Sequence, residues 1–307
     1  MTGATGLLGS HLLPLLHARS QAQIIATVRD GTAPAWLTRL GRVRTITGDL
    51  RDPATWRHSP STVTHVFHLA AAIERDRDGT HRTELAGDNL TPTAHLVECC
   101  RSWPRLRQVI YSSSVSVYGQ TTATLTESSE TAPHDPYAAA KLAGEDLLHA
   151  ADLAEVSVAC LRYTSLYGPG MYPDTVLPIM IRQALGDGEI VVYGLGRRTQ
   201  DFLHCYDAAC ANLLAHQRGA AGIYNIGCGA PVSMAELART VSRVFTDGRA
   251  TVRFATNRPE GPPGYSVDIT KAGRALGYRP RYQLEAGLRQ VKSALGDLKR
   301  SALSPCC

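Results

Sequence analysis

The sequence predicts an α/β protein: a doubly wound parallel sheet with a smaller C-terminal mixed α/β lobe that holds substrate. Three observations predict it. Strand-like and helix-like segments alternate through the first half. A glycine-rich turn stands at the very start and opens into a helical pattern. After Gly168 the alternation gives way to a turn-rich break, GPGMYPD, and a different mix of elements.

The elements follow in order. Helical patterns at Ser10 to Ala18, Asp88 to Arg101 and Tyr137 to Ala150 separate strand-like runs. Those runs are QIIATV (23–28), VTHVFHLA (63–70), Leu106 to Tyr111 and VSVACLR (156–162). Past the break, Thr175 to Leu185 reads as a helix and Glu189 to Tyr193 as a strand between Gly188 and Gly194. Asp207 to Gln217 is helical, and Gly222 to Ile226 is strand-like. Ser233 with Glu236 three residues on forms a capping box for another helix. Pro259 to Gly264 is a loop, and Leu284 to Leu295 is a closing helix. The domain reading is a dinucleotide-binding unit over 1–166, with 201–230 returning to it. A substrate lobe is then built from 167–200 and 231–307.

Composition narrows the function. The 307 residues are 44% hydrophobic, enough for one large or two intimate cores. Net charge is +5 with no run of five like charges, which suits anionic small molecules and argues against nucleic acid. The eight cysteines include no C-x-x-C pair, and the eleven histidines show no metal spacing, so no metal site is expected. A reducing, cytoplasmic setting follows. No apolar run approaches the length of a membrane span, and no signal peptide is visible.

Thr2 to Gly9 reads TGATGLLG, with Gly3, Gly6 and Gly9 three apart. Glycines let backbone approach a pyrophosphate closely, and the helix behind them aims free N–H groups and its positive end at phosphate. Such a loop ordinarily follows a central strand, yet only Met1 precedes Thr2. The expectation is therefore a native chain with a few more apolar residues upstream.

Two further segments carry chemistry. YSSSVSVYG (111–119) puts a serine cluster at a strand end, and YAAAK (137–141) puts Tyr137 and Lys141 on one helical face. A nearby ammonium favours phenolate, so Lys141 is expected to lower the Tyr137 pKa and fit it for proton transfer near neutrality. A serine hydroxyl at the strand end can hydrogen-bond the same substrate oxygen.

These segments resemble the extended short-chain dehydrogenase/reductase superfamily, the NAD-dependent epimerases and dehydratases of nucleotide sugars. The likeness runs nearly end to end: TGATGLLG, GDL at 48–50, HLAA at 68–71, Asn89, SSSVSVYG, YAAAK, LRYTSLYGPG at 161–170, QDFLHCYD at 200–207, YNIG at 224–227 and LGYRP at 276–280. The resemblance implies a Rossmann-type fold and a set of roles. Gly3, Thr5, Gly6, Leu7, Leu8 and Gly9 would hold the pyrophosphate. Asp49 and Leu50 would lie by the adenine; Leu69, Ala70, Ala71 and Asn89 would line the groove. Ser114 would be the catalytic serine, with Ser112 or Ser113 as fallback, Ser113 also counted toward substrate. Tyr137 would be the general acid/base, Lys141 would hold the nicotinamide ribose, and Tyr163 to Ser165 would border nicotinamide and substrate. The resemblance also implies a homodimer through the helix after Tyr137.

The departures shape the reading. Dehydratases of the group carry an acidic pair after the hydroxyl residue, whereas Val115 and Ser116 stand here, so 4,6-dehydration is not expected. Gln200 replaces the arginine of Arg-Asp-Phe, a common grip on substrate diphosphate; Arg197, Arg198 or Arg258 would supply that charge. The second strand usually ends in an acid for the ribose 2′-OH, but Val28 takes that slot and Arg29 follows, which suits a 2′-phosphate and hence NADP. A one-residue shift to Asp30 would restore NAD. His134, in the loop before Tyr137, is a substrate candidate, while His65 and His68 are expected to pack at strand ends. The leading expectation is a ketoreductase or dehydrogenase on a sugar or sugar nucleotide. A nucleotide-sugar epimerase with retained NAD is the alternative. A non-catalytic cofactor sensor comes third, because such sensors lose the tyrosine or lysine kept here.

Overall fold

The computed structural model describes residues 1–29, 31, 33–73, 82–153, 155–262 and 264–303. Asp30, the counter-argument on cofactor choice, lies outside the described residues, as do Cys306 and Cys307. Its principal elements are α1 (Leu7–Arg19), β1 (Ile24–Val28), β2 (Val43–Thr47), β3 (His65–His68), α2 (Arg82–Ser102), β4 (Gln108–Ser114), α3 (Pro136–Ala150) and β5 (Ser157–Tyr163). There follow α4 (Val176–Leu185), β6 (Glu189–Tyr193), α5 (Cys205–Gln217), β7 (Gly222–Ile226), α6 (Met234–Thr246), β8 (Thr251–Ala255) and α7 (Leu284–Leu303).

Four strands pair in parallel in the order β7-β5-β4-β3, and β1 pairs in parallel with β2. The first two residues join the two sets. The Met1 carbonyl accepts from Thr27 N (2.9 Å) and its amino group donates to Ile25 O (2.7 Å), while Thr2 N donates to Phe67 O (2.9 Å). Met1 and Thr2 thus occupy the slot between β1 and β3 where a central strand is expected. Burial holds the Met1 amino group down to about 5.

Helices cover both faces, as near-continuous apolar strands require. On one face α1 lies against α5, and Leu8, Leu12 and Leu16 pack with Phe67, Ile110, Leu161 and the fully buried Ala208, Ala209, Ala211 and Ala215. Those alanines let α5 approach the sheet closely. On the other face α2 lies against α3, and Leu96, Val97 and Leu148 pack on Val66, Val109 and Cys160. Each such leucine contributes about 1.5–3 kcal/mol on leaving water.

A second core belongs to the later elements. Leu177, Met180 and Ile181 of α4, Leu237, Val241 and Phe245 of α6, and Leu288 and Val291 of α7 pack with Ile190 and Val192 of β6. β6 pairs in parallel with β8. The Ser233 hydroxyl accepts from Glu236 N (3.1 Å), the cap expected there, and α6 stops at Asp247 in left-handed backbone with φ 55°. No helix among the described residues is long and apolar enough to cross a membrane.

Candidate active site

A groove of about 580 Å³ opens at the carboxyl ends of β1, β2 and β3, where ligands of open parallel sheets bind. Gly3, Thr5, Gly6, Arg29, Asp49, Leu50, Leu69, Ala70 and Ala71 line it, together with Arg51, Ala72 and Asp88, which sequence reasoning passed over. Gly3 adopts φ +66°, and a Cβ there would stand 2.7 Å from Ala70 N. A Cβ on Gly9 would stand 2.1 Å from the Gly3 carbonyl, so the turn closes only on glycine. No side chain caps the start of α1 behind Gly6, which leaves its first N–H groups and positive end for an anion. Leu7 begins that helix, and Leu8 and Gly9 are buried in it. Close backbone approach, an uncapped helix start and a groove of this size fit a dinucleotide.

Two polar clusters shape the groove wall. Arg51 forks onto Asp49 (Nε–Oδ1 3.1 Å, Nη2–Oδ2 2.6 Å) and reaches Asp88 (2.9 Å), and that guanidinium holds the Asp49 carboxyl below its ordinary range. Asn89 is buried and grips Ala72 through both N (3.1 Å) and O (2.9 Å), so it acts on the groove through backbone. His68 packs, as expected, between Thr2 Oγ1 (3.0 Å) and Thr93 Oγ1 (3.4 Å), and burial holds it at about 3, hence neutral. His65 packs edge-on to His216 at 4.6 Å.

The catalytic candidates meet where β4 ends. Asp135 caps α3 by accepting from Ala138 N (2.8 Å), and Pro136 sits in the first turn. That start presents Tyr137 and Lys141 toward β4. Lys141 is 2% exposed, and its ammonium donates to Ser112 O (2.8 Å) and lies 5.7 Å from the Tyr137 ring centre. Here one expectation needs correcting. The ammonium does not lower the Tyr137 pKa in this state: burial, with the charge of Asp135, pushes Tyr137 up to about 12. Burial also brings Lys141 down to about 8, against the pull of Glu145. Low-dielectric surroundings penalise both charged forms more than the pair recovers by attraction. The phenol is therefore protonated at neutral pH.

Ser114 ends β4 and caps the short 3₁₀ turn Val115–Tyr118. Its hydroxyl oxygen accepts from Ser116 N (3.1 Å) and from Ser116 Oγ (2.9 Å). With its acceptor directions taken, the Ser114 proton is left to donate outward. Val115, 3% exposed, and Ser116 follow it, and neither side chain is an acid. Ser113 is buried and donates to Glu145. Tyr163, beside Ser114 in the β4–β5 register, is also buried and accepts from Asn212 Nδ2 (2.6 Å).

Apart from His134, the other substrate candidates divide into two groups. Gln200 donates to Ser165 Oγ, and Tyr265 joins them, hydrogen-bonded to Ser165 and within the field of Arg198. No sequence signal singled out Tyr265. Arg258 lies over the exposed Tyr193 ring (5.1 Å) and donates to its hydroxyl (3.0 Å). Glu260 ties the two groups by accepting from Leu195 N (2.6 Å), Arg197 N (3.1 Å) and Arg198 N (3.1 Å). His134 is exposed and lies 3.6 Å from Asp135, at the start of α3.

A groove built on a glycine turn, with serine, tyrosine and lysine gathered at the end of β4, fits one class: an oxidoreductase-type enzyme of the extended short-chain dehydrogenase/reductase kind. The chain belongs to the NAD dependent epimerase/dehydratase family, whose model matches residues 1–227. It is 28% identical to a dTDP-glucose 4,6-dehydratase of Actinoplanes sp. over 310 residues, 95% of each chain. It is 30% identical to a dTDP-4-dehydro-6-deoxy-D-allose reductase of Streptomyces bikiniensis over 310 residues, 95% of this chain and 94% of the other. Among solved structures it is similar to MoeE5 in complex with UDP-glucuronic acid and NAD, at 30% identity, TM-score 0.81 and 98% of each chain.

Proposed function

We propose that this enzyme is an NADPH-dependent ketoreductase acting on a keto carbon of a sugar or sugar nucleotide. The observation that carries the reading is Arg29 in the groove wall at the end of β1, with Val28 in the place of the ribose-binding acid. A guanidinium there matches a 2′-phosphate. In this reading 1–166 with 201–230 bind the dinucleotide, and 167–200 with 231–307 take the sugar. The bound dinucleotide supplies the hydride. Tyr137 gives its proton to the substrate oxygen, and Ser114 donates a hydrogen bond to the same oxygen. Lys141 holds the ribose and offsets the charge left on Tyr137. Val115 and Ser116 leave no acid–base pair for removing water, which separates the reading from dehydration. A homodimer through α3, working in the cytoplasm, completes it.

A second reading, a nucleotide-sugar epimerase with retained NAD, is favoured by the NAD held in relatives such as MoeE5 and the UDP-glucuronic acid 4-epimerase of Bacillus cereus. One experiment separates the two. The purified protein is extracted for bound dinucleotide and then assayed with UDP- and dTDP-linked sugars and their 4-keto forms. A reductase carries little dinucleotide and oxidises NADPH in step with the keto sugar. Tightly held NAD and interconversion of two epimers without added cofactor would establish the epimerase instead. Arg29→Ala is expected to weaken NADPH by about 10- to 100-fold and NADH far less, since a charge-assisted contact contributes about 1.5–3 kcal/mol. Equal loss of both, measured by fluorescence titration, would remove Arg29 from the phosphate.

A further inference from the structure

Glu145 is a buried charge for which the proposed chemistry has no use. It is 1% exposed and sits on α3 four residues after Lys141 and eight after Tyr137, on the same face. Its carboxylate accepts from the Ser113 hydroxyl, from Arg162 Nε (2.9 Å) and from Arg162 Nη2 (2.6 Å). Ser113 and Arg162 are register partners on β4 and β5, so one carboxylate ties the helix to two adjacent strands. One turn earlier Lys141 ties the same helix to Ser112 O. Arg162, 3% exposed, then lies 4.7 Å over the Tyr118 ring, in the turn that Ser114 caps. Tyr118 in turn donates to Asn225 Oδ1 (2.7 Å) on β7.

We infer that Glu145 is a positioning residue: its carboxylate braces α3 against the ends of β4 and β5 and so sets where Tyr137 and Lys141 stand relative to Ser114. The inference rests on the catalytic reading of those three residues above. A buried ion pair contributes little stability over apolar residues of the same volume, so stability alone does not account for this one. Fixing geometry does, because a reacting group displaced by about 1 Å loses on the order of 10²-fold in rate. None of Ser113, Glu145 and Arg162 lines the groove, so the brace reaches the cofactor only through the placement of Lys141.

Ser113→Ala removes one arm of the brace without leaving a charge unpaired. Glu145→Leu combined with Arg162→Met removes the whole pair and keeps the volume. Both are assayed for kcat, KM and NADPH affinity on the sugar nucleotide that wild type turns over, with UDP-glucose and its 4-keto form as the first probes. The expected result is a kcat lower by about tenfold for Ser113→Ala and more for the double variant, with KM unchanged and NADPH affinity falling by less than kcat, through Lys141 alone. Wild-type kcat in Ser113→Ala overturns the inference. So does a loss confined to KM, which would put Ser113 against substrate. Tyr137→Phe, run alongside, keeps the two readings apart: full activity there would remove the catalytic reading itself, whereas an inactive Tyr137→Phe beside a wild-type Ser113→Ala removes only the brace.

Discussion

Tyr137→Phe is expected to lower turnover by about 10²–10⁴-fold, the range that general acid–base catalysis contributes, and to leave NADPH affinity nearly intact. The substitution removes the hydroxyl and keeps the ring, so the packing of α3 is preserved. The phenol stands at about 12 in the free enzyme. It is therefore protonated throughout the neutral range and available as a donor to a substrate oxygen becoming an alkoxide. The measurement is kcat with saturating NADPH and keto sugar, beside a fluorescence titration of cofactor. More than about a tenth of the wild-type rate would contradict the role.

Arg162→Met alone is expected to cost about 3–5 kcal/mol of stability, because it leaves the Glu145 carboxylate buried with its main partner gone. For a chain of this size that is a fall in melting temperature on the order of 10 °C. Burial is what makes the effect large: side-chain exposures of 3% and 1% deny the orphaned charge any water. The exposed pair Arg243–Glu285, 55% and 37% exposed, provides the contrast, and breaking it is expected to leave the melting temperature nearly unchanged. Thermal scans of the two variants check the ordering. Equal melting temperatures would mean that burial does not set the cost of breaking an ion pair here.

The sheet and site were legible to different depths. Alternation exposed β3, β4, β5 and β7, whose apolar runs are buried on both faces. β2 went unread because its five residues, VRTIT, carry an arginine and only one buried side chain, and a partly wetted strand leaves a weak pattern. β8 alternates exposed and half-buried residues and was missed for the same reason. Ser114, Tyr137 and Lys141 could be read because their spacing is fixed within one strand end and one helix face. Arg51, Asp88 and Tyr265 could not, since each joins its cluster across distant segments that no local period connects. The direction of the Tyr137 shift was also hidden. Spacing announces the ammonium but says nothing of burial, and burial decides.

The helix carrying Tyr137, Lys141 and Glu145 works as a ruler. Its stations recur every fourth residue, about 6 Å apart along the axis, from a zero mark set by Asp135 and Pro136. A ruler tolerates repainting but not a change in length. Exchanging Ala138 to Ala140 or Leu142 for other small or apolar side chains alters the finish of one graduation. A single residue inserted or deleted between 137 and 145 swings every later station by about 100°. Placed before Lys141, it would carry Lys141 off Ser112 and Glu145 off Arg162 in one stroke; placed after, it would carry off Glu145 alone. Change in this segment is therefore confined to replacement, and the nine residues from Tyr137 to Glu145 behave as one indivisible unit of length.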